Sequence, residues 1–229
     1  MRARLIKSRE IGPEVRHFVF DVPATDQLDY TPGQFVSFSQ DILGRTVTRA
    51  YSIASAPAGS HFELCLNRVK DGAFSPWLFE MQPGDTVEMQ GPLGYFVPRS
   101  PFRDSVLVAT GTGIAPFRSY LQWLPIVRGP STITLLFGAR YKEGLVYYSE
   151  FEQLERARPG FRFIPTITRP GPDWHGRTGW IQQHLDQALG GRPDVDVYIC
   201  GLKAMVDDVR EILKRKGFAR QQIIYEKYD

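Results

Sequence analysis

A glycine-rich segment, Gly111-Thr112-Gly113-Ile114-Ala115-Pro116, directly follows the run Val106–Thr110, which is apolar apart from its last residue. Glycines allow a tight turn and the close approach of a phosphate, and the free N–H groups at a helix start favour an anion. Pro116 suits the first helical turn, where its missing N–H costs nothing. We therefore predict a strand, a phosphate-binding turn and a helix. A tight turn without a ligand is the alternative.

Two further segments could bind an anion in the first half of the chain. Arg49-Ala50-Tyr51-Ser52 would place Arg49 and Tyr51 on one face of a strand, where a guanidinium can hold a phosphate beside a flat ring. Gly72-Ala73-Phe74-Ser75-Pro76 predicts a short helix with Ser75 as its N-cap and Pro76 as its first residue. Taken alone, a surface strand and an ordinary capped turn are the simpler interpretations.

The last third of the chain offers a cysteine and an acid–aromatic pair. Cys200 follows the run Val195–Ile199 and precedes Gly201. A cysteine there is most often a small core residue, but ligands bind at the carboxyl ends of strands in α/β sheets. Glu226 and Tyr228 lie near the end of the chain and, taken alone, indicate a last strand with a frayed end.

Composition excludes several classes of protein. The chain has 229 residues, 42% apolar and 23% charged, which suits two modest globular domains. It has no run of about 20 apolar residues and no secretory signal, so we expect a cytoplasmic protein without a membrane span. Cys65 and Cys200 are its two cysteines, too few for an iron–sulfur cluster, and the four histidines lack metal-ligand spacing. No metal is expected.

The net charge of +3 is too small to indicate a nucleic-acid partner. Its distribution is uneven: residues 1–100 carry ten Lys and Arg against eleven Asp and Glu, and the remainder carries eighteen against fourteen. An excess of positive charge in the second half suits a phosphate-rich ligand or an acidic partner. Solvated surface charge is the alternative for most of these residues.

The first half has the pattern of antiparallel β-structure. Short aromatic and β-branched runs are separated by turn signals such as Thr31-Pro32-Gly33 and Gln82-Pro83-Gly84-Asp85. This spacing predicts an antiparallel, Greek-key β-barrel over residues 1–100. The predicted strands include Val15–Phe20, Gln34–Phe38 and His61–Leu66.

The second half alternates strands with helices, which predicts an α/β domain with a parallel sheet over residues 101–229. The boundary is expected near Pro98–Phe102. The predicted strands are Val106–Ala109, Thr132–Phe137, Phe161–Ile167 and Val195–Ile199, and the predicted helices run from the glycine-rich segment to about Val127, over Thr178–Leu189 and over Ala204–Lys216.

At these motifs the chain resembles the ferredoxin–NADP(+) reductase family, and the resemblance covers essentially all 229 residues. It implies that Arg49 grips the FAD pyrophosphate, that Tyr51 stacks on the flavin and that Ser52 hydrogen-bonds near the ring atom N5. Gly72–Ser75 is similar to the second pyrophosphate element. Gly91-Pro92-Leu93-Gly94 resembles the segment that leads out of the barrel.

In the second half, Gly111–Pro116 resembles the family's nicotinamide-dinucleotide loop, and Tyr198–Met205 resembles the segment that places a cysteine beside the nicotinamide. Glu226 and Tyr228 are similar to the terminal acid and aromatic of the plant-type branch, where the aromatic shields the flavin. Asp229 departs from that branch, in which the chain stops at its aromatic residue.

The resemblance also implies how the second substrate is recognised. Arg140, Thr168 and Arg169 are similar to the positions that reach the 2′-phosphate in NADP-using relatives, and Arg177 is expected to assist. An NAD-specific site prefers an acid that accepts from the 2′-hydroxyl, and none follows the second strand immediately. We therefore expect NADP(H). Glu143 keeps NAD(H) open.

The predicted site residues form two groups. Ser52, Cys200, Glu226 and Tyr228 are the predicted catalytic residues. The predicted cofactor-binding residues are Arg49, Ala50, Tyr51, Ser52, Gly72, Ala73, Phe74, Ser75, Thr110, Gly111, Thr112, Gly113, Arg140, Thr168, Arg169, Arg177, Cys200, Gly201, Leu202 and Tyr228.

The implied activity is that of an FAD-dependent oxidoreductase. It would move a hydride between NADP(H) and flavin, and single electrons between flavin and a ferredoxin or flavodoxin. One alternative is an NADH-dependent reductase component of a multicomponent oxygenase. Another is an FAD-holding electron-transfer or regulatory subunit that does not use a nicotinamide. A monomer is the expectation of the family.

Overall fold

The computed structural model describes residues 1–127 and 131–228. These residues form two compact units. The first consists of Met1–Pro98 together with Ala115–Val127, and the second of Arg99–Ile114 together with residues 131–228.

The first unit is an antiparallel barrel of six strands in the order β4-β3-β6-β1-β2-β5. A bridge between Ile53 and Leu64 brings the two edge strands together, so that the sheet is nearly closed. Its elements are β1 (Arg2–Gly12), β2 (Val15–Asp21), β3 (Phe35–Ile42), β4 (Arg45–Ser52), β5 (His61–Asn67), α1 (Phe74–Glu80), β6 (Thr86–Leu93) and α2 (Ala115–Val127).

Aromatic rings fill the barrel. Phe18 and Phe20 occupy alternate positions of β2, so their side chains share one face of the strand, and both are fully buried. The Phe20 ring lies 5.1 Å from Phe38 and 5.6 Å from Phe62, measured between centroids. Because each buried ring contributes about 1.5–3 kcal/mol, this cluster is a main source of the unit's stability.

The second unit is a parallel sheet of six strands in the order β10-β9-β8-β7-β11-β12. Its inner strands are apolar runs because helices cover both faces of such sheets. The elements are β7 (Ser105–Thr110), β8 (Ile133–Ala139), α3 (Tyr148–Ala157), β9 (Phe161–Ile167), β10 (Arg177–Thr178), α4 (Leu185–Leu189), β11 (Asp196–Leu202), α5 (Lys203–Arg215) and β12 (Ile223–Tyr228), with 3₁₀ turns at Gly111–Ile114, Lys142–Gly144, Ile181–His184 and Arg220–Gln222.

The chain therefore has the predicted fold class, an antiparallel barrel followed by a parallel α/β sheet, and that prediction is confirmed. Four strands and helices were not predicted from the sequence: β1, β6, β10 and α3. In β1 the buried residues Ala3 and Leu5 alternate with exposed Arg2 and Arg4, so its outward positions give the segment a charged composition.

Two local predictions are wrong. The helix predicted over Thr178–Leu189 is shorter, because Thr178 pairs in β10 and Gly179 has a φ of 104°, so helical structure begins at Ile181. Ser75 is not the N-cap of α1. The N-cap is Ala73 and the helix begins at Phe74, so Pro76 is its third residue and not the predicted first. The Ser75 hydroxyl instead accepts a hydrogen bond from the Val69 amide at 2.9 Å.

Within residues 1–127 and 131–228, no helix has both the length and the apolar character needed to cross a bilayer. Likewise, no three His, Cys, Asp or Glu side chains in these ranges are grouped so that they could hold a metal ion.

Two turn glycines of the barrel give a matched pair for testing its packing. Gly33 and Gly84 both have positive φ, 94° and 98°. A Cβ at Gly33 would overlap the Phe96 carbonyl oxygen and lie 2.7 Å from a Tyr120 ring carbon, whereas one at Gly84 meets nothing within 4 Å.

We expect Gly84→Ala to lower the free energy of unfolding by about 1–2 kcal/mol, from backbone strain alone. Gly33→Ala should lower it by roughly 1–3 kcal/mol more, because overlap is added to the same strain. Urea unfolding followed by circular dichroism would measure both. Equal losses for the two variants would contradict the packing described here.

Candidate functional site

In the barrel, β4 carries the motif Arg49–Ser52. Arg49 pairs with Phe38 and Tyr51 with Val36 across β3, so the two side chains start from the same face. The Tyr51 ring is half-buried, 6.0 Å from Phe38, and burial raises the pKa of its phenol, which is therefore neutral at pH 7. Arg49 is exposed and donates to the Thr48 carbonyl at 2.8 Å.

A ring contact joins this motif to the start of α1. The centroids of Tyr51 and Phe74 lie 6.1 Å apart. The segment before Phe74 is held in a turn, because the Gly72 amide donates to the Val69 carbonyl at 2.9 Å. The structure thus brings Arg49–Ser52 and Gly72–Ser75 together within one unit.

These residues fit a ligand that has both a pyrophosphate and a flat ring. Arg49 offers an exposed guanidinium and Tyr51 a half-buried ring. No side chain of the described residues caps α1, so the amides of its first turn are not occupied by a cap. Ser52 is 8% exposed at the end of β4, and Ala50, two positions earlier in the strand, is exposed. FAD has the chemistry that this set would bind.

The glycine-rich turn follows β7, the strand at which the strand order of the second unit's sheet reverses. β8 follows β7 on one side, whereas β11 pairs with β7 on the other, and ligands bind at such switch points in α/β sheets. A Cβ at Gly113 would overlap the Cys200 carbonyl, and one at Gly201 would overlap the Thr110 hydroxyl. The absence of side chains at Gly113 and Gly201 therefore permits the contact between the turn and β11.

Thr110 has a buried hydroxyl with no hydrogen-bond partner among the described residues. An unsatisfied buried hydroxyl costs about 1–3 kcal/mol, and a polar ligand at the end of β7 would remove that cost. Next to it, Gly111 is exposed with a φ of 55°, no atom lies within 4 Å of its hypothetical Cβ, and Thr112 is half-buried. An orphaned donor beside an open turn fits a nicotinamide dinucleotide.

Cys200 lies within β11 and not at its end, because the strand continues for two more residues to Leu202. Glu226 is its partner in β12, and the Tyr228 side chain hydrogen-bonds the thiol. Burial, followed by the charge of Glu226, raises the pKa of the Cys200 thiol well above its ordinary value. The thiol is therefore protonated at neutral pH, which suits a packing role and not that of a nucleophile.

The remaining residues of this end of β11 and β12 are less enclosed. Leu202 is 59% exposed and pairs in register with Tyr228. Asp229, the residue that departs from the plant-type pattern, lies outside the described residues.

Two predicted arginines meet at the carboxyl ends of β8 and β9. The Arg169 amide donates to the Arg140 carbonyl at 2.8 Å, and the Thr168 amide donates to the Ala139 carbonyl at 3.1 Å. Both arginine side chains are exposed. The Arg169 guanidinium also donates to the Tyr141 hydroxyl at 3.1 Å, and this bond raises its pKa.

Tyr141 was missed by the sequence reasoning, although it directly follows Arg140. Its position between Arg140 and Lys142 was the available signal. Arg177 lies in β10, opposite Thr166 of β9, and its Nε donates to Gln187 at 2.7 Å. It is therefore already engaged, unlike the freely exposed Arg140.

Comparison with known proteins identifies the domain to which each half of the chain is similar. The model of the oxidoreductase FAD-binding domain matches residues 2–97, and that of the oxidoreductase NAD-binding domain matches residues 107–211. Ferredoxin–NADP reductase B of Sorangium cellulosum (strain So ce56) is 39% identical over 237 aligned positions, which cover 99% of this chain and 97% of that protein. The chain belongs to the ferredoxin–NADP reductase family.

Further members of the family show how widely it is used. A ferredoxin NADP+ reductase from Neisseria gonorrhoeae, solved with bound FAD and NADP, superposes with a TM-score of 0.86 at 27% identity over 99% of this chain and 98% of that one. The electron transfer component of toluate 1,2-dioxygenase from Pseudomonas putida is 28% identical over 89% of this chain. The chain spans only 60% of that component's length.

As a member of this reductase family, the chain is an oxidoreductase with an FAD-binding and an NAD-binding domain. The predictions of an FAD cofactor and of a nicotinamide dinucleotide are confirmed at that level. The roles of individual residues stay predictions.

The state of the Cys200 thiol can be tested by alkylation. In the folded protein at pH 8, we expect iodoacetamide to leave Cys200 unmodified for a time that labels the urea-unfolded chain completely, because the thiol is buried and protonated. Glu226→Gln removes a charge that raises the pKa of the thiol, so labelling of Cys200 should be faster in this variant than in the wild-type protein.

Mass spectrometry of the Cys200 peptide would measure both rates. Glu211→Gln, which removes an exposed acid of α5 paired with Lys214, is the matched control and should not change them. Equal labelling of folded and unfolded protein would show that the thiol is neither buried nor protonated as described.

Proposed function

We propose that this reductase uses NADP(H) as its nicotinamide substrate and exchanges single electrons with a ferredoxin or flavodoxin. The observation that carries the proposal is the pair of exposed arginines at the carboxyl ends of β8 and β9, Arg140 and Arg169. The full-length similarity to a ferredoxin–NADP reductase supports it.

The arginine pair argues for the 2′-phosphate because of its place in the sheet. In dinucleotide sites of this kind, an acid after the second strand accepts from the ribose 2′-hydroxyl of NAD, whereas an arginine accommodates the 2′-phosphate of NADP. Here β8 is followed by Arg140, Tyr141 and Lys142 before the first acid, Glu143. A forked guanidinium binds phosphate oxygens with two parallel hydrogen bonds.

The remaining predicted residues receive roles from this proposal. When bound, the flavin would take two electrons from the nicotinamide and release them one at a time. Ser52 and Glu226 would hold polar groups beside the reacting ring. Cys200 would pack against the nicotinamide and Tyr228 would shield the flavin, which are positioning roles that require no change in protonation of the thiol.

The electron carrier is proposed to be a small acidic redox protein. The chain after residue 100 carries eighteen Lys and Arg against fourteen Asp and Glu, which favours an acidic partner at low salt. Ferredoxin and flavodoxin both have that chemistry, and a monomeric reductase is the simplest form that would serve either.

A second function deserves a test because several similar proteins are electron transfer components of dioxygenases, including those of toluate and 2-halobenzoate 1,2-dioxygenase. In that case the chain would use NADH and pass electrons to an oxygenase. The third possibility, an FAD-holding subunit that does not use a nicotinamide, is disfavoured by the match to the NAD-binding domain.

Anaerobic stopped-flow reduction of the FAD-loaded protein separates these functions. We expect NADPH to bleach the flavin absorbance at least about tenfold faster than NADH at equal subsaturating concentration, since one charge-assisted hydrogen bond contributes about 1.5–3 kcal/mol. Faster bleaching by NADH would favour the oxygenase function. No bleaching by either nucleotide would reject nicotinamide use altogether.

The arginine pair can be tested separately. Arg140→Ala and Arg169→Ala should each raise the KM for NADPH about 10- to 100-fold while leaving the KM for NADH within about twofold, because only the 2′-phosphate contact is lost. Arg162→Ala is the matched control, since Arg162 is exposed near the opposite end of β9. A parallel rise in both KM values would place the arginines outside the 2′-phosphate site.

A further inference from the structure

Helix α2 binds the backbone segment that directly follows Ser52. Three polar side chains of the helix contact residues 54–56 in succession. Arg118 Nη1 donates to the Ala54 carbonyl at 2.8 Å. The Ser119 hydroxyl donates to the Ser55 carbonyl. The Gln122 side-chain oxygen accepts a hydrogen bond from the Ala56 amide at 3.0 Å. Consecutive backbone groups of a segment outside the strands are thereby satisfied by one helix.

Arg118 is the charged member of this contact and is 8% exposed. The nitrogen that binds the Ala54 carbonyl also lies 2.5 Å from a carboxylate oxygen of Glu63. The Glu63 backbone in turn accepts the Ala54 amide at 2.7 Å. Arg118 and Glu63 therefore hold Ala54 from both its carbonyl and its amide.

A third titratable group, His17, lies beside the ion pair of Arg118 and Glu63. His17 Nε2 lies 3.7 Å from the Glu63 carboxylate, and burial lowers the pKa of this histidine to about 4. At neutral pH His17 is uncharged, so Arg118 supplies the positive charge closest to Glu63. A buried guanidinium is stable only when it is paired and hydrogen-bonded, which makes the Arg118 geometry well determined.

We propose that Arg118 is a positioning residue for flavin reduction. By fixing Ala54 it holds the end of β4, and with it Ser52, the residue proposed to contact the reacting ring. This inference rests on the proposed function. A displacement of about 1 Å at a reacting centre slows a reaction on the order of a hundredfold, so a residue that never touches the cofactor can still control the rate.

The test compares Arg118→Met with Arg4→Met. Arg4 makes a bidentate ion pair with the buried Asp21 in the same barrel, at 2.7 and 3.1 Å, between the paired strands β1 and β2. Both variants lose one ion pair to a buried or half-buried carboxylate. A purely structural role for Arg118 would leave the flavin dichroism and the rate of flavin reduction alike in the two variants.

The first readout is amide hydrogen exchange of residues 53–56 in the protein without FAD. We expect at least a tenfold faster exchange there in Arg118→Met and no change in Arg4→Met. The second is the visible circular dichroism of bound FAD, which should change in the first variant only. The third is the single-turnover rate of flavin reduction, expected to fall roughly 10- to 100-fold, with partial rescue by Arg118→Lys.

Should Arg118→Met fail to fold, Ser119→Ala removes a neighbouring contact of the same segment without leaving a buried carboxylate unpaired. It should raise exchange at residues 53–56 by a smaller factor. Unchanged exchange, flavin dichroism and reduction rate in the Arg118 variants, or the same changes in Arg4→Met, would overturn the proposal. If nicotinamide does not reduce the wild-type flavin, the proposed function fails, and exchange and dichroism still decide the role of Arg118.

Discussion

The close contact between the turn Gly111–Ile114 and strand β11 is the constraint on which the second unit depends. Two glycines make it possible, because a Cβ at Gly113 or Gly201 would overlap backbone or the Thr110 hydroxyl. This contact occurs where the strand order changes direction, and it leaves Thr110 with a buried hydroxyl that no described residue satisfies. Tight packing and an unmet hydrogen bond at one place are what a site awaiting a polar ligand requires.

In the barrel, side chains and not glycines determine the geometry of the candidate site. Its candidate site needs a flat surface beside a charge, and the Tyr51 ring is fixed by packing against Phe38 and Phe74 while Arg49 stays in solvent. The aromatic core that stabilises the barrel thus extends to the site without interruption. A ring already held by its neighbours loses little freedom when a ligand stacks on it, which favours binding.

The sequence predicted most of this arrangement where local pattern and tertiary structure agree. The strand Phe161–Ile167 and the glycine-rich turn were predicted from short runs of residues whose local preferences match the backbone conformation in the structure. It failed where a long-range contact decides the outcome. Thr178 and Gly179 are not helical because β10 pairs with β9. Strand β1 was not predicted because charged residues occupy its exposed positions. The Arg118–Glu63 pair was invisible because its members are 55 positions apart.

The two arginines at the ends of β8 and β9 differ in how much side-chain freedom each would lose on binding a phosphate. Arg169 is already held by the Tyr141 hydroxyl at 3.1 Å, with its guanidinium 5.8 Å from the ring centroid. Arg140 is exposed on a backbone that the Arg169 amide fixes. Ordering one long side chain costs about 0.5–1.5 kcal/mol, so in the proposed 2′-phosphate site an arginine fixed in advance would leave more of the binding energy for discrimination between NADP and NAD. Specificity would then depend on Tyr141 as well as on the arginines themselves.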